Sequence, residues 1–180
     1  MRSQRDRMLS GELYRADDLE LVADREACRR LLDAFNAGDE HVLHELLGSL
    51  GAGSEILPRF QCDYGTHISI GEGCFVNYDA IFLDCASITI GDHVQIGPRV
   101  QLVTALHPVD DHASRRAGWE CASPIVIADN AWLAAGVIVC PGVTVGENSV
   151  IGAGSVVVSD IPAGVLAVGS PCRVVRRLND

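Results

Sequence analysis

Ile127-Ala128-Asp129-Asn130-Ala131-Trp132-Leu133-Ala134-Ala135-Gly136-Val137-Ile138-Val139-Cys140-Pro141-Gly142-Val143-Thr144-Val145 opens a stretch in which every sixth residue is aliphatic, and the series runs on through Ile151 and Val157. Leu, Ile and Val make up about a quarter of the chain. Chance therefore gives six successive hits on the order of once in several thousand trials at a fixed phase. The residue after each of them is small in most cases: Ala128, Ala134, Cys140, Gly146 and Gly152, then Val158. A period of six is neither the two of a half-buried strand nor the 3.6 of a helix. It is the repeat of a parallel β-helix, in which each hexapeptide supplies a short strand and a corner. Three hexapeptides close one triangular coil, and stacked coils bury a continuous aliphatic column.

The rhythm extends backwards. Ile70, Val76 and Phe82 hold one phase, and Ile90, Ile96 and Leu102 hold another, so an insertion lies near Asp84–Ser87. Residues 103–124 abandon the repeat, carry charges and proline, and read as a loop thrown out of the repeating body. Gly91-Asp92, Asp129-Asn130 and Gly146-Glu147-Asn148 supply residues suited to tight corners. After Pro162 the phase breaks, and Val168–Val175 reads as the last strand. The expected organisation is mainly β: a hexapeptide-repeat solenoid over 54–180, preceded by an α-helical segment over 1–53. Helical spacing of Cys28, Leu31, Leu32 and Phe35 places helices around Arg2–Leu9 and Asp24–Asn36. Val42, Leu43, Leu46, Leu47 and Leu50 place another over Asp39–Leu50. A solenoid must cover its ends, and these helices either cap one end or pack beside it.

Composition narrows the function. The chain has 180 residues, 48% hydrophobic and 21% charged, which fits one folded domain rather than a disordered one. A net charge of −10 gives no cationic footprint for nucleic acid. All 14 basic residues are arginine, so a phosphate contact falls to Arg or to backbone N–H groups. No run approaches the roughly 18 apolar residues of a membrane span. No secretory leader is expected either, because Met1–Ser10 is polar. Seven cysteines without a Cys-x-x-Cys pair point to reduced thiols in a cytoplasmic protein.

Six further stretches complete the sequence signature. They are Met8-Leu9-Ser10-Gly11-Glu12-Leu13-Tyr14, Phe60-Gln61-Cys62-Asp63-Tyr64-Gly65, Asn77-Tyr78-Asp79, Thr104-Ala105-Leu106-His107-Pro108-Val109-Asp110, Asn130-Ala131-Trp132-Leu133 and Gly169-Ser170-Pro171-Cys172-Arg173-Val174. With them the chain closely resembles the maltose and galactoside O-acetyltransferases, with the nodulation-factor acetyltransferases as near relatives. The resemblance implies a left-handed parallel β-helix. It also implies acetyl transfer from acetyl-CoA to a sugar hydroxyl, by a homotrimer with active sites between adjacent solenoids, without a metal.

The resemblance further assigns roles. His107 stands at the position of the catalytic base, and histidine suits the task because its pKa lies near neutrality. Asn77 matches an active-site residue that holds the acceptor, with hydrogen bonding at its own corner as the alternative. Asp63 matches an acceptor-contacting position, with capping of a turn as the alternative. Asp84 lies near the family's substrate carboxylate pair, although the adjacent residue here is Cys85. A backbone N–H near Ala135 is the expected donor to the thioester oxyanion. Coenzyme A is expected along Trp132, Ala135, Ala153 and Val158, with Trp132 either packing at a corner or stacking on adenine. Ser159 stands where many relatives carry Lys, so the phosphate contact shifts to Arg173, Arg176 or Arg177. Arg115 and Arg116 read equally as a solvated face or an acceptor contact, and Cys140 as structural.

Two other classes compete. A zinc enzyme like the γ-class carbonic anhydrases would use His107 and His112, with His67 or His93 as a third ligand. A non-catalytic trimeric scaffold would need no positioned histidine.

Overall fold

In the computed structural model, which describes residues 2–179, the repeat folds into a three-sided parallel β-solenoid. Each coil contributes one short strand to each of three sheets. On the first face Leu50, Ile70, Ile90, Ile127 and Val145 pair in register from coil to coil. On the second, Ile56, Val76, Ile96, Leu133, Ile151 and Ala167 do the same. On the third, Cys62, Phe82, Leu102, Val139 and Val157 stack. The six aliphatics from Ile127 to Val157 are all fully buried.

A second inward position precedes each aliphatic by two residues. Ala131, Val137 and Val143 fill it with small apolar groups, then Ser149 and Ser155 with buried hydroxyls. Those hydroxyls donate to the carbonyls of Pro162 (2.7 Å) and Gly152 (2.6 Å), which satisfies them inside the prism. At the corner between the first two faces, His93, Asn130 and Asn148 take left-handed backbone. Gly91 sits there because the next coil runs against it: a Cβ at this position would overlap Asp129 Oδ1. That Oδ1 accepts the Asp92 N–H at 2.9 Å, and Asp92 in turn accepts from Glu72 N–H at 2.9 Å, so carboxylates climb the corner as a ladder.

The N-terminal segment plugs the open end of the prism. Helix α1 (Gln4–Leu9) starts with a Ser3/Asp6 capping box, and α2 (Leu19–Asn36) is capped by Asp18. Cys28, Leu32 and Phe35 of α2 join Leu43, Leu46 and Leu47 over Ile56, Phe60 and Ile68 in one core. Three expectations change. Helix α2 begins at Leu19 rather than Asp24, because Asp18 caps it and the exposed Leu19 stands outside the apolar stripe. The helix expected over Asp39–Leu50 is a 3₁₀ turn at Glu40–Val42 and a one-turn α3 (Leu43–Leu46). Ser49–Leu50 is already the first solenoid strand, paired with Ser69–Ile70, because Leu50 continues the aliphatic column of the first face. At the far end, Val165–Val168 and Arg173–Arg177 form an antiparallel hairpin rather than one strand.

Between Gln101–Val103 and Ile125–Ile127 the chain leaves the coil. It forms strand Ala105–Leu106, helix α4 (His112–Arg116) and strand Trp119–Ala122, which lies between Ala105–Leu106 and Tyr14–Arg15 in a small antiparallel sheet. A second apolar cluster of Met8, Tyr14, Leu21, Tyr64, Cys85, Ala86 and Ala122 sits beneath this sheet, apart from the main column. All seven cysteines are free thiols, and no helix among the described residues is long and apolar enough to cross a membrane.

Adjacent residues on one strand test the architecture. Ile127→Ala removes a fully buried side chain and should destabilise by about 2–5 kcal/mol, while Val126→Ala on the outer surface should stay under about 1 kcal/mol. Urea unfolding curves of the two variants measure this, and equal losses would contradict an inward-facing column.

Candidate active site

The corner after the third face is wider than the others in the first coils, and this width builds a site. Asp63–His67 and Asp84–Ser87 fill it, one above the other. Asp84 points inward and is fully buried. Its Oδ1 accepts the N–H groups of Asp63 and Tyr64, each at 2.9 Å, while Oδ2 has no hydrogen-bond partner among the described residues and lies 4.0 Å from His67 Nδ1. Burial raises the Asp84 carboxyl above its ordinary range, opposed by those two backbone donors and by His67. His67 Nδ1 lies 2.7 Å from the Asp84 carbonyl oxygen.

Above this buried acid is a cavity of about 300 Å³. Tyr14, Arg25, Asp63, Tyr64, Cys85 and Glu120 line it, together with Ala16 and Ala105. Arg25 donates to the Tyr64 hydroxyl at 2.7 Å and to the Ala16 carbonyl at 2.6 Å, tying α2 to the N-terminal strand. The Tyr14 hydroxyl donates to Glu120 Oε2 at 3.0 Å. Burial pushes the Cys85 thiol up to about 12, so it stays protonated and donates to Asp63 Oδ2 at 3.5 Å. Burial also raises the Asp63 carboxyl, and the Cys85 thiol and Arg25 pull the other way. The cavity thus offers two carboxylates, a guanidinium, two phenols and a thiol, a donor and acceptor set that matches a polyhydroxylated ligand.

The expected site residues fall in several places. Asp63 lines the cavity, while Asp84 supports it from below and has no exposed surface for a ligand. Cys85 follows Asp84 as a buried thiol at the cavity wall, where it meets Asp63. Asn77 Oδ1 accepts the Tyr78 N–H at 2.8 Å, so its oxygen serves its own corner and only its amide N–H₂ is free among the described residues. His107 is exposed, directly after the Ala105–Leu106 strand. Trp132 faces outward from the second face and is 51% exposed. Ala135 and Ala153 lie at the corner that follows, one coil apart, joined by Gly154 N–H to the Ala135 carbonyl at 2.9 Å. Val158 and Ser159 lie beyond the third-face strand Val156–Val157, at the next corner. Arg173, Arg176 and Arg177 are exposed on the terminal hairpin. A whole face of one solenoid therefore separates Ala135 and Ala153 from Val158 and Ser159.

Among known proteins, residues 7–51 match the maltose acetyltransferase hexapeptide capping motif and residues 124–159 the bacterial transferase hexapeptide of six repeats. A maltose O-acetyltransferase from Clostridium difficile 630 shares 46% identity with a TM-score of 0.96, over 99% of both chains. The chain belongs to the maltose and galactoside O-acetyltransferase family. A galactoside acetyltransferase in complex with coenzyme A is 36% identical at a TM-score of 0.94, covering 100% of this chain and 93% of that one. A hexapeptide-repeat acetyltransferase from Vibrio cholerae, complexed with acetyl-CoA, is 39% identical at a TM-score of 0.92, over 99% and 100% of the two chains. Membership in this family of hexapeptide-repeat transferases makes the chain an acetyl-CoA-dependent enzyme. Among the described residues no three His, Cys, Asp or Glu side chains converge as metal ligands, and His107 and His112 both lie on the ejected segment.

Sequence reading missed Tyr14, Arg25 and Glu120. Tyr14 and Glu120 meet only through an antiparallel pairing across more than a hundred residues, which no local spacing signals. Arg25 falls on the same face of α2 as the buried Leu21, Cys28 and Leu32, where its charge reads as a break in the apolar stripe rather than as part of a site.

Asp84 provides a linkage test. A carboxyl whose folded pKa is raised above its unfolded value adds stability at low pH and loses it as pH rises through the folded pKa. Against Asp84→Asn, which removes this titration and keeps an oxygen for the two N–H groups, wild type should gain stability as pH falls from 7 into the carboxylate range. Paired unfolding titrations at several pH values measure the difference, and a gap that stays constant with pH would refute a raised Asp84.

Proposed function

We propose that this protein moves the acetyl group of acetyl-CoA to a hydroxyl of a sugar by direct attack within a ternary complex. One observation carries the reading. Ala105, two residues before His107, lines the cavity formed by Asp63, Arg25 and Glu120, so the candidate base is mounted on the wall of a sugar-sized polar site. His107 takes the proton of the acceptor hydroxyl. The alkoxide attacks the thioester carbonyl, the Ala135 N–H stabilises the oxyanion, and the proton passes to the departing CoA sulfur. Asp63 and the free amide of Asn77 hold acceptor hydroxyls, and Arg25 closes the same wall.

The donor groove is shared between copies of the chain. Trp132, Ala135 and Ala153 form one side and Val158 and Ser159 another, and their separation by a full face supports a cleft between solenoids of a homotrimer. Exposed apolar side chains at Trp132, Val158, Val174 and Val175 suit such a cleft. Arg173, Arg176 or Arg177 meets the CoA phosphates, since Ser159 carries no charge. Maltose or glucose, a galactoside and an amino-sugar oligosaccharide all fit the donors and acceptors of the cavity.

Thiol release from acetyl-CoA over a panel of mono- and disaccharides tests the proposal. Acceptor-dependent release is expected, with kcat reduced by roughly 10²–10⁴ in His107→Ala and KM for acetyl-CoA little changed. Full activity in His107→Ala would remove the base assignment, and an acetylated cysteine trapped during turnover would overturn direct attack.

A further inference from the structure

The corner after the second face carries an uncommitted positive charge beside Ala135. In each coil one residue of this corner takes left-handed backbone, with φ between 60° and 70°. Gly136 and Gly154 fill the place in the later coils, where the absent side chain removes the steric cost. In the first three coils it is filled by Arg59, Asp79 and Arg99. The corner between the first two faces meets the same demand with glycine, histidine and asparagine, which tolerate it. Arginine is not among the residues that visit this conformation routinely. Its use twice on one corner points to what the side chains do there.

They build a cavity of about 460 Å³, lined by Arg59, Tyr78, Asp79 and Arg99 together with Ala135 and Gly136 of the next coil. Arg59 grips both Asp79 oxygens, with Nη2 donating to Oδ2 at 2.9 Å. That carboxylate is thereby taken. The exposed Arg99 side chain has neither a hydrogen bond nor an ion pair among the described residues. Tyr78 is 48% exposed and offers a flat apolar ring with a hydroxyl at its edge. In a chain of net charge −10, a free guanidinium beside an open aromatic ring is a local exception.

The position relative to Ala135 identifies which substrate reaches this cavity. The proposed donor groove runs from Ala135 to Ala153, one coil further on. The cavity lies on the opposite side of Ala135, toward the coil before it, where Gly136 N–H meets the Pro98 carbonyl at 2.9 Å. Asn77, assigned above to hold acceptor hydroxyls, directly precedes Tyr78. What lies beyond the transferred acetyl group on that side is acceptor, not coenzyme. Resting on the sugar-acetyltransferase reading and its cleft between copies, we propose that Tyr78 and Arg99 form a second acceptor subsite, for a unit that carries a carboxylate. The reacting sugar occupies the Asp63 cavity of one copy. The adjoining unit lies across the cleft on the Tyr78 ring of another, and Arg99 donates to its carboxylate in charge-assisted hydrogen bonds. The acceptor is then an acidic saccharide of at least two units rather than a neutral monosaccharide.

Two matched pairs of acceptors test this. Lactobionate keeps the galactosyl ring of lactose and adds a carboxylate to the adjoining unit. Glucuronosyl-glucose carries its carboxylate at the other end, and its methyl ester is the neutral partner. In thiol release from acetyl-CoA, kcat/KM should be about tenfold higher for the acid than for its neutral partner in at least one pair. Arg99→Gln should bring that ratio close to one, chiefly through KM for the acceptor, with KM for acetyl-CoA near wild type. A ratio at or below one in both pairs, or a ratio that Arg99→Gln leaves in place, would overturn the proposal. A severalfold rise in KM for acetyl-CoA would also overturn it, by making Arg99 a contact of the donor phosphates. Loss of assembly in Arg99→Gln would do the same, by making it an ion pair between copies. Where that variant does not fold, wild type decides alone. The preference for the acid should shrink as salt is added, and a preference indifferent to salt overturns the subsite. If no sugar, acidic or neutral, supports thiol release, the sugar-acetyltransferase reading fails and this inference with it. If neutral sugars are acetylated and the acids gain nothing, only the subsite fails.

Discussion

Backbone satisfaction from coil to coil is the constraint on which the rest depends. A strand of two or three residues cannot satisfy its own N–H and C=O groups, so each coil relies on the coil above and below it. Ile90 pairs with Ile70 on one side and Ile127 on the other, even though a long loop intervenes on the second side. A single column of inward Ile, Leu and Val therefore fixes the register of all three sheets at once. The outward residues are then free to vary, and the corners can widen without disturbing the column.

Chemistry is placed where that column permits extra chain. The Asp63–His67 and Asp84–Ser87 corners bulge outward, and the ejected segment returns over them as the antiparallel sheet that carries His107. The second apolar cluster joins the N-terminal segment, the bulged corners and the loop through Met8, Tyr14, Tyr64, Cys85 and Ala122. Residues distant in sequence are thereby locked to one another beside the cavity, while the main column remains a rigid scaffold. Asp84 is the polar counterpart of this packing: its buried carboxyl group holds the backbone of Asp63 and Tyr64 so that those side chains line the cavity.

Much of this was legible in the residues. The six-residue period gave the solenoid, because each aliphatic hit maps onto one buried strand position, as Ile127 and Leu133 do. The second inward position was harder to see, since Ala131 and Ser149 have little in common except small size. The helix boundary at Leu19 and the strand at Ser49–Leu50 were hidden because a two-residue strand is too short to show a period, and Leu50 also fits the apolar stripe of a helix. At the site, His107, Asp63 and Asn77 were named through motif resemblance. The inward turn of Asp84 and the meeting of Tyr14 with Glu120 were not, because both depend on tertiary pairing rather than local spacing.

The segment that carries His107 leaves the solenoid at the same corner as Val158 and Ser159, a full face away from Ala153. The proposed cleft therefore joins the His107 of one copy to the Ala153 of another, and a subunit-mixing experiment tests this. Two inactive variants are prepared, His107→Ala to remove the base and Ala153→Trp to block the groove, and are unfolded together and refolded as mixed assemblies. If each site draws His107 from one solenoid and Ala153 from its neighbour, some interfaces in the mixture pair two intact halves, and acceptor-dependent thiol release returns. If one chain supplies both, every site in the mixture keeps one lesion and the assemblies stay inactive, which would contradict an active site built between solenoids.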